Sequence, residues 1–186
     1  APPPDADREA VLLALGQLAW EMLESRAGRL EVYVSSDELQ RRLAGVSNEA
    51  RTHVLEHSRL LLPVERARGG GQQDYYFLHL SVQEYLAARY LVASGRVAEA
   101  GDSSISFVEH GRLVMVWQFV AGMLGGRREE CLRWLGLAAE YVRGVDRNEG
   151  AIEHNRRVRL AVQMLLEMMA GGGSTELLLA FVADER

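Results

Sequence analysis

Two runs of strand-forming residues on either side of a glycine-rich loop constrain the fold of this chain more than any other feature. The runs are residues 60–66 and 74–80, and residues 69–71 of the loop between them are all glycine. Glycine adopts positive φ angles without steric cost, so this loop favours a reversal of chain direction. The pattern predicts a β-hairpin. Pro63 lacks an amide donor, which predicts an edge position or a bulge for the first strand.

Three helices and a short strand are predicted before the hairpin. Apolar residues recur at helical spacing between Val11 and Leu23, and residues 30–34 alternate in the manner of a strand. The predicted elements are a helix from an N-cap at Asp7 to about residue 27, the strand at 30–34, and helices at 35–45 and 47–58. Together with the hairpin, this is the element order of a winged helix, with the glycine loop as the wing tip and residues 48–58 as the recognition helix.

Two capping boxes mark predicted helix starts on either side of the hairpin. Ser35 is followed three residues later by Glu38, and Ser81 is followed by Glu84. In this motif the hydroxyl and the carboxylate each accept a hydrogen bond from a backbone amide at the start of the helix. The second box predicts a helix at 82–92, which is apolar around most of its circumference and should therefore be deeply buried.

The sequence after residue 95 is helical throughout. Stripes of apolar residues at helical spacing, separated by glycine turns, predict four antiparallel helices at about 113–124, 131–142, 158–169 and 174–181. Short turns between such helices are typical of a bundle or of the start of a superhelix. The chain is therefore predicted to be mainly α. A winged-helix domain with a small β-hairpin at 1–95 is followed by an all-α bundle or superhelical domain at 96–186.

The charged residues argue against several functions. All 21 basic residues are arginine, so the chain has no lysine for a Walker A phosphate loop or a Schiff base. The formal net charge is -5, and acidic residues outnumber arginines in both halves. A nucleic-acid binder normally has a basic surplus. The longest apolar stretch, residues 113–124, is about half the length that a membrane span requires. We therefore predict a protein-contacting module, with no membrane partner and no nucleic-acid partner.

The compartment and the extent of the chain are also predicted from the sequence. Cys131 is the single cysteine, so an internal disulfide is excluded and a reducing, cytoplasmic compartment is favoured. The first residues lack a methionine and a signal-peptide pattern, which predicts a segment cut from a longer protein. Nothing resembles a Ser/His/Asp constellation, so we expect no catalysis by this segment alone.

Four arginines on the predicted recognition helix and wing are candidates for DNA phosphate contacts: Arg51, Arg59, Arg66 and Arg68. Acidic residues lie between them and would repel the same phosphates. We favour a mixed, solvated surface or a protein interface here. The alternative function is a winged-helix transcriptional regulator with a helical dimerisation domain.

A possible metal site lies on the same helix. His53, Glu56 and His57 match H-x-x-E-H, the inverted zinc-protease motif, in which helical spacing puts both imidazoles on one face. A zinc site of this kind needs a third ligand, and the sequence does not specify one. The favoured interpretation is a solvated helix face, and a zinc hydrolase remains the remote alternative.

His79 has two interpretations from its position before the helix at 82–92. By strand alternation, Phe77 and His79 point to one side. The residue is either a structural histidine bonded to backbone or a hydrogen-bond donor presented to an anionic ligand at a domain junction. Spacing alone favours the structural interpretation.

Residues 77–88 resemble a segment found in one family of signalling ATPases. Their sequence, Phe-Leu-His-Leu-Ser-Val-Gln-Glu-Tyr-Leu-Ala-Ala, is similar to the pattern F-x-H-x-[ST]-x-Q-E-[FY]-x-A-A. This pattern ends the winged-helix domain of NACHT-family STAND NTPases, which include NOD-like immune receptors and bacterial relatives. Residues 119–124 also resemble the F-x-x-G-L-L stretch of the helical domain that follows, with Met123 in place of the first leucine. The resemblance spans nearly all the chain, with its specificity in residues 77–88.

The resemblance implies a regulatory role without catalysis. In this family an upstream nucleotide-binding domain holds ADP or ATP, and the winged helix folds back over it in the resting state. A histidine at the position of His79 contacts the ADP β-phosphate, which makes His79 the implied nucleotide-sensing residue. Exchange for ATP releases the winged helix, and the receptors then form homo-oligomers. Ser81 and Glu84 remain structural caps, and Gln83 receives no role.

Overall fold

The computed structural model describes residues 5–24, 33–56, 58–65, 73–97, 99–100 and 113–124. The chain forms two compact units, Ala1–Tyr90 and Leu91–Arg186. The described residues are mainly helical with one small antiparallel sheet, which confirms the predicted fold class. The domain boundary after residue 95 and the choice between bundle and superhelix stay predictions. The predicted helices at 131–142, 158–169 and 174–181 lie outside the described residues.

The helices and strands between residues 5 and 93 follow the order predicted for a winged helix. They are α1 (Asp5–Glu24), β1 (Val34–Ser35), α2 (Ser36–Arg42), α3 (Asn48–Glu56), β2 (Leu61–Glu65), β3 (Gln73–Phe77) and α4 (Leu80–Ala93). The apolar stripe of α1 is buried as its spacing predicts, including Leu15 and Trp20. α1 packs against α2 and α3, and α3 packs against β2. The core of the first unit therefore lies between these helices and the sheet.

The three strands form an antiparallel sheet in which β3 is central, with β1 and β2 at its two edges. Leu61 is opposite Phe77 and Glu65 is opposite Gln73, so β2 and β3 are the two strands of the predicted hairpin. Pro63 is exposed on the edge strand β2, where its missing amide costs no ladder hydrogen bond, as predicted. The loop at 66–72 lies outside the described residues.

Of the strand predicted at 30–34, residues 30–32 lie outside the described residues, and Tyr33 is not in a strand. The strand β1 consists of Val34 and Ser35, which pair with Tyr75 and Asp74. Tyr33 lies just outside the strand, and its ring contacts the ring of Tyr76 edge to face, with centroids 6.2 Å apart. Such a pair adds about 0.5–1.5 kcal/mol beyond simple burial. The aromatic contact thus helps to hold a two-residue strand on the hairpin.

Serine caps start α2 and α3 as the sequence predicts. The Ser35 hydroxyl accepts a hydrogen bond from the Glu38 amide at 3.3 Å, and the Ser47 hydroxyl accepts one from the Ala50 amide at 3.3 Å. The N-cap predicted at Asp7 is wrong, because α1 begins at Asp5 and Asp7 lies inside its first turn. The Asp7 carboxylate instead accepts a hydrogen bond from the Ser47 hydroxyl. This bond joins the start of α1 to the start of α3.

A network of polar side chains joins α1 to α2. The Arg42 guanidinium donates to Glu38 on its own helix at 2.7 Å and to Glu21 on α1 at 2.9 Å. Glu21 also accepts a hydrogen bond from Gln17 at 2.9 Å. Hydrogen bonding to Arg42 holds the pKa of the Glu38 carboxyl below its ordinary value. The Arg42 side chain therefore links α2 to α1.

Replacing Arg42 by methionine should destabilise the first unit by about 1 kcal/mol, the upper end for a partly exposed ion pair. The pKa of Glu38 is lower in the folded state than in the unfolded state, so its ion pair with Arg42 stabilises the fold at pH values above the unfolded-state pKa of Glu38. This stabilisation is lost as the pH falls through the folded-state pKa of Glu38. Urea unfolding measures the free energy of unfolding of wild type and variant at neutral pH and at acid pH. The difference between the two proteins should be smaller at acid pH. Arg41→Met is the comparison variant: Arg41 also pairs with Glu38, but its side chain is 74% exposed, so its removal should destabilise the unit less. A difference that persists unchanged in acid would contradict the role of the ion pair.

α1 and α4 approach each other closely at Gly16. An added Cβ at Gly16 would lie 2.5 Å from the Leu86 carbonyl oxygen and 2.8 Å from the Tyr90 Cβ. Real Cβ atoms do not approach neighbours this closely, so only glycine fits at this position without movement of a helix. An ion pair between Glu9 and Arg89 joins the same two helices nearer the N-terminus of α1.

The described part of the second unit includes α5, which runs from Val114 to Leu124. Its apolar stripe is buried as predicted, with Trp117 and Val120 fully enclosed. Among the described residues, no helix combines enough length with enough apolar character to cross a membrane.

Candidate functional site

The segment between β3 and α4 carries the residue that the sequence singles out as a possible sensor. β3 ends at Phe77, and the Leu78 amide donates to the Leu60 carbonyl at 3.0 Å. The His79 carbonyl then accepts hydrogen bonds from the amides of Val82 at 3.1 Å and Gln83 at 3.2 Å. A residue whose carbonyl accepts the first bonds of a helix is its N-cap. His79 is therefore the N-cap of α4.

The capping box predicted at Ser81 and Glu84 is wrong. α4 begins at Leu80, one residue before Ser81, so Ser81 lies in the first turn and is exposed. Glu84 lies two positions too far along the helix to reach back to the N-cap amide, because the capping-box position is now residue 82. The position of the helix start follows from the end of β3. Leu78 makes the last hydrogen bond across the hairpin, so His79 is the one residue between Leu78 and the first residue of α4. Local sequence predicted the helix but not its first residue.

The His79 imidazole is exposed and forms no hydrogen bond or ion pair with any described residue. The alternation that predicted a common side for Phe77 and His79 fails, because the strand ends at Phe77, which is buried. A structural histidine would bond to backbone through its ring. The geometry does not support that interpretation and instead leaves both ring nitrogens open to solvent.

Three large apolar side chains of the segment that contains His79 are exposed as well. Leu78, Leu80 and Tyr85 are 39%, 54% and 43% exposed. We define the His79 surface as Leu78, His79, Leu80, Ser81 and Tyr85. Sequence periodicity missed it, since it predicted burial around most of α4. The available signal was that Ser81 and Tyr85 are four residues apart and so share one helical face.

α4 also buries two polar residues in addition to its apolar ones. Gln83 is 8% exposed and Glu84 is 5% exposed. Burial raises the pKa of the Glu84 carboxyl above its ordinary value. The Gln83 Nε2 atom is fully enclosed and has no hydrogen-bond partner in the part of the chain that the structure describes. Amphipathic spacing gave no sign that either residue would be buried.

The arginines considered for DNA contact do not form a common basic surface in the described residues. Arg51 is half-buried and donates from Nη2 to the Val46 carbonyl at 3.2 Å, which directs it inward. Arg59 is exposed and has a φ of 53°, in the left-handed region. Glu49 and Glu56 are exposed on α3 with them. Arg66 and Arg68 lie outside the described residues. This arrangement agrees with the mixed surface that we favour from the sequence.

The H-x-x-E-H motif is only partly described. His53 is half-buried on α3 and Glu56 is exposed at the end of the helix, whereas His57 lies outside the described residues. Within the described ranges, no group of three or more His, Cys, Asp or Glu side chains is arranged to hold a metal ion. The described part of the chain therefore supplies no third ligand beside His53 and Glu56.

Comparisons with known proteins do not assign this chain to a family. No protein-family model matches it, and no curated protein is significantly similar to it. The similarity of residues 77–88 to the NACHT-family pattern therefore stays a prediction.

Proposed function

We propose that this chain is the non-catalytic winged-helix and helical portion of a NACHT-type signalling ATPase. In this proposal an upstream nucleotide-binding domain of the same protein is its partner. The chain holds that domain in an ADP-bound, closed state and relays the exchange of ADP for ATP to homo-oligomerisation. The whole protein acts in the cytoplasm as a receptor of the innate-immunity type.

The observation that carries the proposal is the exposed imidazole at the N-cap of α4. Within the segment that resembles the family pattern, the apolar positions Phe77, Ala87 and Ala88 are buried, as expected for structural residues. His79 differs from them, because its side chain is exposed and has no partner among the described residues. An exposed histidine without a partner among the described residues supports a role in contacting something outside the chain.

The chemistry of this position suits an anionic ligand. An imidazole N–H donates a hydrogen bond to a phosphate oxygen, and a protonated ring adds charge. His79 also lies at the N-terminus of α4, where the helix dipole favours negative charge. A contact that forms with ADP and is blocked by the extra phosphate of ATP gives the two states different affinities, which any ligand switch requires.

The apolar part of the His79 surface supports a protein partner rather than a free nucleotide. Leu78, Leu80 and Tyr85 would lose their solvent exposure when another domain covers them. The chain has no lysine, so a Walker A lysine has to come from that other domain. ADP and ATP are thus ligands of the whole protein, and His79 is the contribution of this chain.

The proposal is tested on the longer protein that contains this chain, through its gene sequence and its nucleotide content. We expect its gene to encode G-x-x-x-x-G-K-[ST] within a few hundred residues upstream of Ala1, about the length of one or two domains. We also expect the purified protein to release about one ADP per chain when denatured, as measured by ion-exchange chromatography. A gene without that motif, or a purified protein without nucleotide, would overturn the proposal.

A further inference from the structure

Gln83 has no role in the proposed function, yet it lies in an unfavourable position. Its side chain is 8% exposed, and its Nε2 atom has no hydrogen-bond partner among the residues that the structure describes. Burying an amide donor without a partner destabilises a fold, and an apolar side chain of the same size would avoid that cost. We therefore expect the Gln83 side chain to donate a hydrogen bond to an acceptor in some state of the protein.

Side chains three and four residues apart are neighbours on a helix, and of the residues at those distances from Gln83 (His79, Leu80, Leu86 and Ala87) only His79 is polar. Its imidazole has no partner among the described residues. Gln83 follows His79 by four residues, and its backbone amide already donates to the His79 carbonyl at 3.2 Å. Helical side chains tilt toward the N-terminus, so the carboxamide of Gln83 covers the turn that His79 begins. Gln83 has three rotatable side-chain bonds and the His79 ring is exposed, so both can change rotamer.

We infer that Gln83 is a positioning residue for His79, donating from Nε2 to one ring nitrogen of the imidazole. A ring nitrogen that accepts a hydrogen bond carries no proton, so the proton of the neutral ring lies on the other nitrogen. That N–H then points away from α4, toward the domain that covers the His79 surface. The inference rests on the proposed function for its purpose, since the fixed N–H is the group that would meet the nucleotide phosphate.

The test uses this chain alone, with ¹⁵N-labelled histidine, because protonated and unprotonated ring nitrogens have well-separated ¹⁵N chemical shifts. The spectrum is recorded at about pH 8.5, where histidine rings are ordinarily neutral. Comparison with His79→Gln identifies the His79 signals. In the wild type we expect the ratio of the two His79 tautomers to differ about fivefold from that of free histidine, the factor that one ordinary hydrogen bond supports.

Two variants of Gln83 make the test specific. Gln83→Met removes the donor and keeps the length of the side chain, so it should fold and should bring the two tautomers toward the ratio of free histidine. Gln83→Glu replaces the donor with an acceptor, which should move the proton to the nitrogen facing residue 83 and exchange the two signals. His79 signals that are the same in wild type and Gln83→Met would overturn the inference. The readout involves no nucleotide, so this failure is distinct from failure of the proposed function.

Discussion

From the proposed function we expect that replacing His79 by leucine in the longer protein accelerates ADP release about ten- to hundredfold. A hydrogen bond to a charged group contributes about 1.5–3 kcal/mol, which corresponds to that factor in affinity. The imidazole is exposed and unpaired among the described residues, so removing it should leave the fold of the first unit unchanged. The dissociation rate is measured by chasing a fluorescent ADP analogue with unlabelled nucleotide. The same variant should oligomerise without a stimulus, since the closed state is weakened.

His53→Leu is the matched control for this measurement. His53 lies on α3, away from the segment that resembles the family pattern, and is half-buried. Its removal tests whether the loss of any histidine from the winged helix releases ADP. ADP dissociation that is unchanged in His79→Leu, or equally accelerated in both variants, would remove the sensor role from His79.

Gly16→Ala should destabilise the first unit by about 2 kcal/mol. Alanine is favoured over glycine in a helix by about 0.5–1 kcal/mol, so a mid-helix glycine without close neighbours would gain from the change. At Gly16, however, the new Cβ would meet the Leu86 carbonyl oxygen at 2.5 Å and the Tyr90 Cβ at 2.8 Å. Neither atom can be moved by rotating a side chain, so α1 and α4 have to separate. Overpacking of this kind costs about 1–3 kcal/mol, and the separation of two helices belongs at the upper end.

Gly45→Ala provides the comparison for Gly16. A Cβ added at Gly45 has no neighbour within 4 Å, so this variant should change the free energy of unfolding by less than about 0.5 kcal/mol. Urea denaturation followed by circular dichroism measures both variants. Equal stability of Gly16→Ala and wild type would show that the two helices are not in contact at Gly16 in solution.

The elements of the winged helix could be predicted from local sequence, because their signals are local. The hairpin follows from two strand-like runs and three glycines, and the starts of α2 and α3 follow from the serines at positions 35 and 47. The predictions are wrong where a contact between residues distant in sequence determines the start of a helix. Asp7 is an adequate N-cap in isolation, but its carboxylate is bonded to Ser47 and α1 extends two residues beyond it.

The candidate site could be predicted only in part. The sequence singled out His79, but strand alternation assigned its side chain to the wrong side, because β3 ends two residues earlier. The buried state of Gln83 and Glu84 could not be derived, since three polar residues lie close together at the start of α4 and only Ser81 is exposed. Which of them is buried depends on the elements that pack around the helix, and no local pattern encodes that choice.

The missing side chain at Gly16 has a mechanical consequence. Where two helices meet through backbone, no flexible side chain lies between them to absorb a displacement, and the Glu9–Arg89 ion pair adds a second attachment nearer the N-terminus of α1. α1 and α4 are thereby attached at two points, so we expect the helix that begins after His79 to move together with α1 as one rigid body.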